Sequence, residues 1–92
     1  MIIYLHYTAQ LAMEAGCSAE KLELCDDATV EQVVKDRADK HGGKFAEIVL
    51  SPDGNPVPTI MYVVNGEQVD RGTPHILKDG DELMLMSPIA GG

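Results

Sequence analysis

One stretch of this sequence specifies a helix at both of its ends. Thr29 is followed three residues later by Gln32, the spacing of a capping box in which each side chain satisfies the other's backbone N–H. Val30, Val33, Val34, Ala38 and His41 then recur at helical spacing and form a single apolar stripe. Gly42-Gly43 supplies the stop, because glycine takes a left-handed cap conformation at little cost. A helix with one apolar stripe must lay that stripe on something. The flanking sequence offers only short runs with strand character, so a sheet covered on one face by this helix is expected.

The first run is Met1 to Thr8, rich in β-branched and aromatic residues. Its alternation assigns Ile3, Leu5 and Tyr7 to the core and Ile2, Tyr4 and His6 to the opposite face. Ala9 to Ala15 is a short helix or compact loop ended by Gly16. Glu20 to Cys25 alternates again, with Leu22 and Leu24 inward, and its short connection predicts antiparallel pairing with the first run. After the long helix, Phe45 to Leu50 reads equally as a helical turn or a strand. Ser51 to Pro58 carries three prolines and Asp53-Gly54, so it is expected to be an irregular, mobile loop. Ile60 to Val64 is apolar enough to predict a central strand covered on at least part of both faces. Asn65-Gly66 predicts a type I′ hairpin returning through Glu67-Gln68-Val69. Asp70 to Lys78 is irregular, Asp79-Gly80-Asp81 turns, and Glu82 to Met86 is the last strand, ended before Pro88. The order predicts an α+β fold: a mixed sheet of four to five strands with one main helix on one face, spanning residues 1–87, followed by a flexible segment, 88–92.

Charge and motif content exclude several classes of function. Seven basic against fifteen acidic residues leave a net charge of -8. Nucleic-acid binding needs a basic patch, and an anionic membrane surface would repel this chain. No apolar run approaches the ~20 residues of a bilayer span, and the N-terminus lacks the signature of a signal peptide, so a cytoplasmic location is expected. Cys17 and Cys25 make no C-x-x-C pair and are read as free thiols. His6, His41 and His75 are scattered, so no metal is expected. Neither a catalytic triad pattern nor a phosphate-cradling loop is present, and no bound cofactor is expected.

The residues after the last strand offer another kind of chemistry. Ser87-Pro88-Ile89-Ala90-Gly91-Gly92 pairs a stiff exit with three residues that carry almost no side chain. Extended, the segment from Pro88 projects ~16–18 Å. Without Cβ atoms, Gly91 and Gly92 could pass through a narrow channel and present a carboxylate to another protein's active site. A frayed terminus is the plain alternative.

Several motifs together resemble the MoaD/ThiS family of ubiquitin-like sulfur carriers. Lys78-Asp79-Gly80-Asp81-Glu82-Leu83, a strand, then Pro88-Ile89-Ala90-Gly91-Gly92 is similar to the family's L-x-D-G-D-E-V and P-x-A-G-G. Tyr7-Thr8-Ala9-Gln10-Leu11 resembles the F-x-A-x-L stretch of the small subunit of molybdopterin synthase. Thr29-Val30 and Val64-Asn65-Gly66 match the family's T-V and V-N positions. The sequence departs at a longer Ser51 to Pro58 loop and at Ser87, where a second proline is common.

The resemblance implies a β-grasp fold and a carrier that performs no catalysis alone. A ubiquitin-activating-type adenylyltransferase, using ATP, would convert the Gly92 carboxylate to an acyl-adenylate. A sulfur donor protein would replace AMP and leave a thiocarboxylate. In the molybdopterin branch the large subunit would receive the segment, with Gly92 carrying the sulfur and Gly91 permitting passage. Thiamine or cysteine synthesis, conjugation of Gly92 to lysines, and a plain binding module are the other readings.

Alternation on the last strand suggests where partners would dock. If Leu83 and Leu85 face the helix, Met84 and Met86 join Tyr4 and His6 on the open face, beside Pro88, Ile89 and Ala90. The converse arrangement would bury the methionines.

Overall fold

The fold was described from a computed structural model, covering residues 1–57, 60–69 and 75–86. Its elements in chain order are β1 (Ile2–Tyr7), α1 (Ala9–Ala15), β2 (Ala19–Glu23), α2 (Val30–His41), α3 (Gly43–Val49), β3 (Met61–Val64), β4 (Glu67–Gln68) and β5 (Glu82–Met86).

The five strands form one mixed sheet in the order β2-β1-β5-β3-β4. β1 pairs antiparallel with β2 and parallel with β5, while β3 pairs antiparallel with β5 and β4. The centre therefore belongs to β5 rather than to β3. β3 sits one place in from the edge, flanked outside by the two-residue β4. Its two faces are covered unequally. Tyr62 and Val64 are buried, whereas Met61 and Val63 lie half-buried on the face opposite the helices.

The helix face is the core. Ile3, Leu5 and Tyr7 of β1, Leu83 and Leu85 of β5, and Tyr62 and Val64 of β3 meet Val30, Val33, Val34 and Ala38 of α2 in one buried cluster. Leu11 of α1, Leu22 of β2, Phe45 and Val49 of α3, and Ile60 and Leu77 complete it. The alternation read from β1 and β5 is the alternation observed, with the leucines inward and Met84 and Met86 half-buried on the open face.

Local chemistry fixes the element ends. Thr29 and Gln32 form the reciprocal capping box, at 3.3 Å to the Gln32 N–H and 3.0 Å from the Thr29 N–H. The segment from residue 75 to 78 straps this end to the core: Val30 N–H donates to the His75 carbonyl and Leu77 N–H to the Ala28 carbonyl. Gly42 ends α2, and Gly43 begins a separate seven-residue helix, α3. The Phe45 to Leu50 ambiguity thus resolves to a helix, because Phe45 and Val49, four residues apart, fill one buried stripe. The chain from Ser51 to Val57 carries no helix or named strand but closes on itself, with Ser51 N–H donating to the Asn55 carbonyl at 2.8 Å and an isolated bridge from Leu50 to Pro56. Hydrogen bonds from Ser51 and then Asn55 hold the exposed Asp53 carboxyl below its ordinary range. Asn65 and Gly66 both take positive φ, 51° and 85°, in the two-residue loop between β3 and β4, as a type I′ turn requires. One long helix packed across this mixed sheet is the ubiquitin-like β-grasp architecture.

Candidate functional site

The open face of the sheet gathers four of the side chains singled out from sequence. Tyr4 and His6 come from β1 and Met84 and Met86 from β5, and the parallel register sets His6 beside Met84 and Tyr4 beside Glu82. Across the β5–β3 pair, Met84 opposes Val63 and Met86 opposes Met61. Tyr4 is 42% exposed, one of the few large apolar side chains so open to solvent. The patch is apolar and adaptable, since thioether side chains repack readily.

One polar pair interrupts it. His6 Nε2 lies 3.1 Å from Glu82 Oε1, both side chains being substantially exposed. His6, Val63, Met84 and Glu82, with Asn65 and Gly66, line a shallow concavity on this face.

The Asp79-Gly80-Asp81-Glu82 motif acts as a brace at the head of β5. Asp79 accepts the Ile2 N–H at 2.7 Å and Gly80 N–H donates to the Ile2 carbonyl at 2.7 Å, which fixes the start of β1. Asp81 accepts the Lys78 N–H through one carboxylate oxygen at 2.8 Å and the Asn65 amide through the other at 2.9 Å. Asn65 in turn accepts the Glu82 N–H at 2.9 Å. The motif thereby joins β1, the β3–β4 turn and β5. The Asp79 and Asp81 carboxylates are committed to backbone and amide donors, while the exposed Glu82 carboxylate faces His6.

The remaining predicted site residues, Pro88, Ile89, Ala90, Gly91 and Gly92, lie outside the described residues. What the structure supplies is their point of departure. β5 ends at Met86, next to the start of α1, where Thr8 Oγ1 donates to the Leu85 carbonyl at 3.3 Å.

A second group of residues, on the helix side, escaped the sequence reading. Glu20 of β2 sits between three partners: the Tyr7 hydroxyl donates to Oε2, His41 Nε2 lies 2.8 Å from Oε2, and Arg37 Nη1 donates to Oε1 at 3.2 Å. Arg37 is 9% exposed and also holds Asp36 through Nη2 at 2.5 Å and Nε at 3.0 Å. The Tyr7 and His41 rings pack on Phe45 at centroid distances of 5.3 and 5.0 Å. Burial alone would raise the Glu20 carboxyl. The hydrogen bonds from Tyr7 and His41, with the charges of His41 and Arg37, outweigh it and hold the group below the ordinary range. Burial and the neighbouring Glu20 push the Tyr7 phenol well above its ordinary range. Burial opposes the Arg37 charge, but Asp36 and Glu20 raise its affinity for the proton. A signal was present in the sequence: Glu20 shares the inward alternation of Leu22, and Arg37 follows Val30 by two helical turns on the buried stripe.

Among the described residues no group of three or more His, Cys, Asp or Glu side chains is placed to hold a metal ion. None of the described helices is long and apolar enough to cross a membrane. Cys17 and Cys25 are unpaired thiols, half-buried and exposed respectively.

Comparison with known proteins places this geometry. The profile of the ThiS family matches residues 5–92. The crystal structure of SAMP1 from Haloferax volcanii is similar over 100% of both chains, with 28% identity and a TM-score of 0.83. The putative molybdopterin converting factor, subunit 1, from Pyrococcus furiosus is 26% identical with a TM-score of 0.75, covering 97% of this chain and 99% of its own. The BexX/CysO complex from Amycolatopsis orientalis contains a chain 27% identical with a TM-score of 0.67, over 98% of this chain and 99% of that one. Among proteins of curated function none matches the sequence.

Proposed function

The chain belongs to the ThiS family, whose relatives are ubiquitin-like sulfur carriers and protein modifiers, and from that premise we propose that Gly92 is the reactive residue of a sulfur carrier. The observation that carries this reading is the match of the family profile through residue 92, which includes the Ala90-Gly91-Gly92 sequence.

The chemistry fits a carrier with no catalytic groups of its own. A carboxylate is a poor electrophile because it has no good leaving group. Attack of the Gly92 carboxylate on the α-phosphorus of ATP, in the active site of a ubiquitin-activating-type adenylyltransferase, releases pyrophosphate and leaves an acyl-adenylate. A persulfide on a donor protein displaces AMP and leaves an acyl disulfide; a thiol then attacks the donor's sulfur, forming a disulfide and releasing the thiocarboxylate, which is the sulfur donor. Gly91 permits the approach, since a Cβ there would widen the segment entering the partner's channel. Tyr4, His6, Met84 and Met86 form the docking face, with Pro88, Ile89 and Ala90 continuing the contact toward the reactive end.

The pathway we favour is molybdopterin synthesis, with this chain as the small subunit of molybdopterin synthase and a large subunit as acceptor. The likeness to the Pyrococcus furiosus protein supports it. A second reading, conjugation of Gly92 to lysines of other proteins, is supported by the likeness to SAMP1 over both full chains.

Intact mass after incubation with ATP, the adenylyltransferase and a sulfur donor tests the class. Exchange of one oxygen for sulfur at Gly92 is the expected result; an unchanged mass with competent partners refutes it. Reconstitution with a large subunit, followed by assay of molybdopterin, tests the pathway. Lysine-linked adducts in extract, without molybdopterin formation, select the modifier.

A further inference from the structure

Among the described residues β2 is an edge of the sheet: its five residues pair only with β1, while the opposite edge is the two-residue β4. The bonding pattern fixes which groups of β2 point outward. Leu24 N–H donates to the Met1 carbonyl at 2.8 Å, the Met1 amino group donates to the Leu24 carbonyl at 2.7 Å, and Tyr7 N–H donates to the Ser18 carbonyl at 2.9 Å. Bonding alternates along an antiparallel ladder, so the even-numbered residues of β2 face β1. The N–H and C=O groups of Ala19, Lys21 and Glu23 face away from it, and those of Lys21 and Glu23 take no backbone partner among the described residues.

A strand added to this edge must bond through those outward groups. Antiparallel pairing of β2 with β2 of a second copy about a two-fold axis then allows a register centred on each residue from Ala19 to Glu23. Centred on Ala19 or Glu20, it sets Lys21 against Cys17 or Ala19 and pairs no opposite charges. Centred on Lys21, the register sets lysine against lysine. Centred on Glu23, it sets glutamate against glutamate. Centred on Leu22, it sets Lys21 against Glu23 of the second copy, twice, and brings the two Leu22 side chains together on the helix side. Registers centred between residues oppose outward groups to inward ones and cannot bond. Opposite charges directly across a strand pair stabilise it and like charges destabilise it, so charge selects the Leu22-centred register from among these.

We propose that the β2 edge is a self-association surface through which two copies join in this register, fusing their sheets. Lys21 and Glu23 are exposed and lie on the open face, where their pairing is unobstructed. An inward-pointing charge on an edge strand ordinarily blocks such pairing, but Glu20 is already held by Arg37, His41 and Tyr7. The contact is short, and the -8 charge of each copy opposes it at low ionic strength, so the dimer is weak and concentration-dependent. β1 separates β5 from this edge, so Met84 and Met86 of both copies stay clear of the contact.

Sedimentation equilibrium of the full chain, at moderate salt and up to the millimolar range, tests the proposal. The wild type is expected to shift from monomer toward dimer. Lys21→Glu and Glu23→Lys should each weaken dimerisation about tenfold or more, since each replaces both attractive pairs by repulsive ones. The double variant Lys21→Glu/Glu23→Lys restores opposite charges and should recover the wild-type behaviour. Thermal melts of these surface variants establish that each is folded. A wild type that stays monomeric, single variants that associate as it does, or a folded double variant that does not recover, overturns the proposal.

Discussion

The hydroxyl of Tyr7 donates to the carboxylate of Glu20 on the helix side of the sheet. A ring that β1 places in the core therefore ends on a charge, and that charge is shared with Arg37 and His41 of α2. The resemblance noted from sequence has phenylalanine where this chain has Tyr7, and the hydroxyl adds to His41 a second link between the aromatic cluster and the ion pairs.

Removing the carboxylate should cost far more than removing the hydroxyl. Glu20→Ala leaves Arg37 nearly buried with only Asp36 as a partner and is expected to destabilise by about 2–4 kcal/mol. Tyr7→Phe keeps the packing against Phe45 and loses one hydrogen bond, with an expected cost of about 1 kcal/mol. Urea unfolding of the two variants checks the ranking, and equal costs would contradict it.

Stability should fall on the acid side partly through Glu20. Its carboxyl titrates below the ordinary value of 4.5 in the folded chain. As pH falls, the unfolded state takes up the proton first, so the unfolded state binds more protons and stability drops. The contribution is complete above the unfolded value and gone below the folded one. Glu20→Gln should flatten this limb of the urea midpoint against pH. On the alkaline side Tyr7, raised above its ordinary 10.0, keeps its proton in the folded state while the unfolded chain loses it, so stability declines as pH rises past that value.

The capping box is expected to be worth about 1 kcal/mol. Thr29→Ala removes the oxygen that accepts the Gln32 N–H and leaves an orphan donor at the start of α2. Thermal unfolding measures it, and a variant as stable as wild type would show that the strap from residue 75 to 78 holds this end alone.

Asn65 separates backbone conformation from side-chain bonding. Asn65→Gly keeps the positive φ but loses the bonds to Asp81 and Glu82, whereas Asn65→Ala loses both. The alanine variant should be the less stable by about 1 kcal/mol. Chemical denaturation of the pair gives the difference directly.

On the open face, Met84→Asp should weaken binding to the adenylyltransferase about tenfold or more, because it puts a charge in the middle of the apolar patch. The half-buried position makes the cost to folding small by comparison. Titration calorimetry with the partner checks this; unchanged affinity would move the docking surface elsewhere.

Much of this molecule is written in local patterns. The capping box, the alternation of β1 and β5, and the Asn65-Gly66 turn each depend on neighbours in sequence, and each appears in the structure as read. The place of β3 was not legible, since strand order depends on which distant strands pair. Its apolar content suggested a central strand covered on at least part of both faces, and the partial cover of Met61 and Val63 agrees, but the central place belongs to β5. Arg37 was passed over because it shares a helical stripe with valines. Its partner lies on β2, 17 positions earlier, a contact that only the tertiary fold reveals.

The parallel pairing of β1 with β5 has a consequence for how the molecule comes into being. Thr8 bonds Leu85 across 77 positions, so the middle of the sheet is built from segments made early and late in synthesis. Contacts this distant close slowly, after local helices and hairpins have formed. Until β5 has left the ribosome, β1 has no inner neighbour, and Leu5 and Tyr7 lack Leu83 and Leu85 beside them. An unfinished chain thus lacks the middle strand of its sheet, and the role proposed for Gly92 would begin only with the completed core.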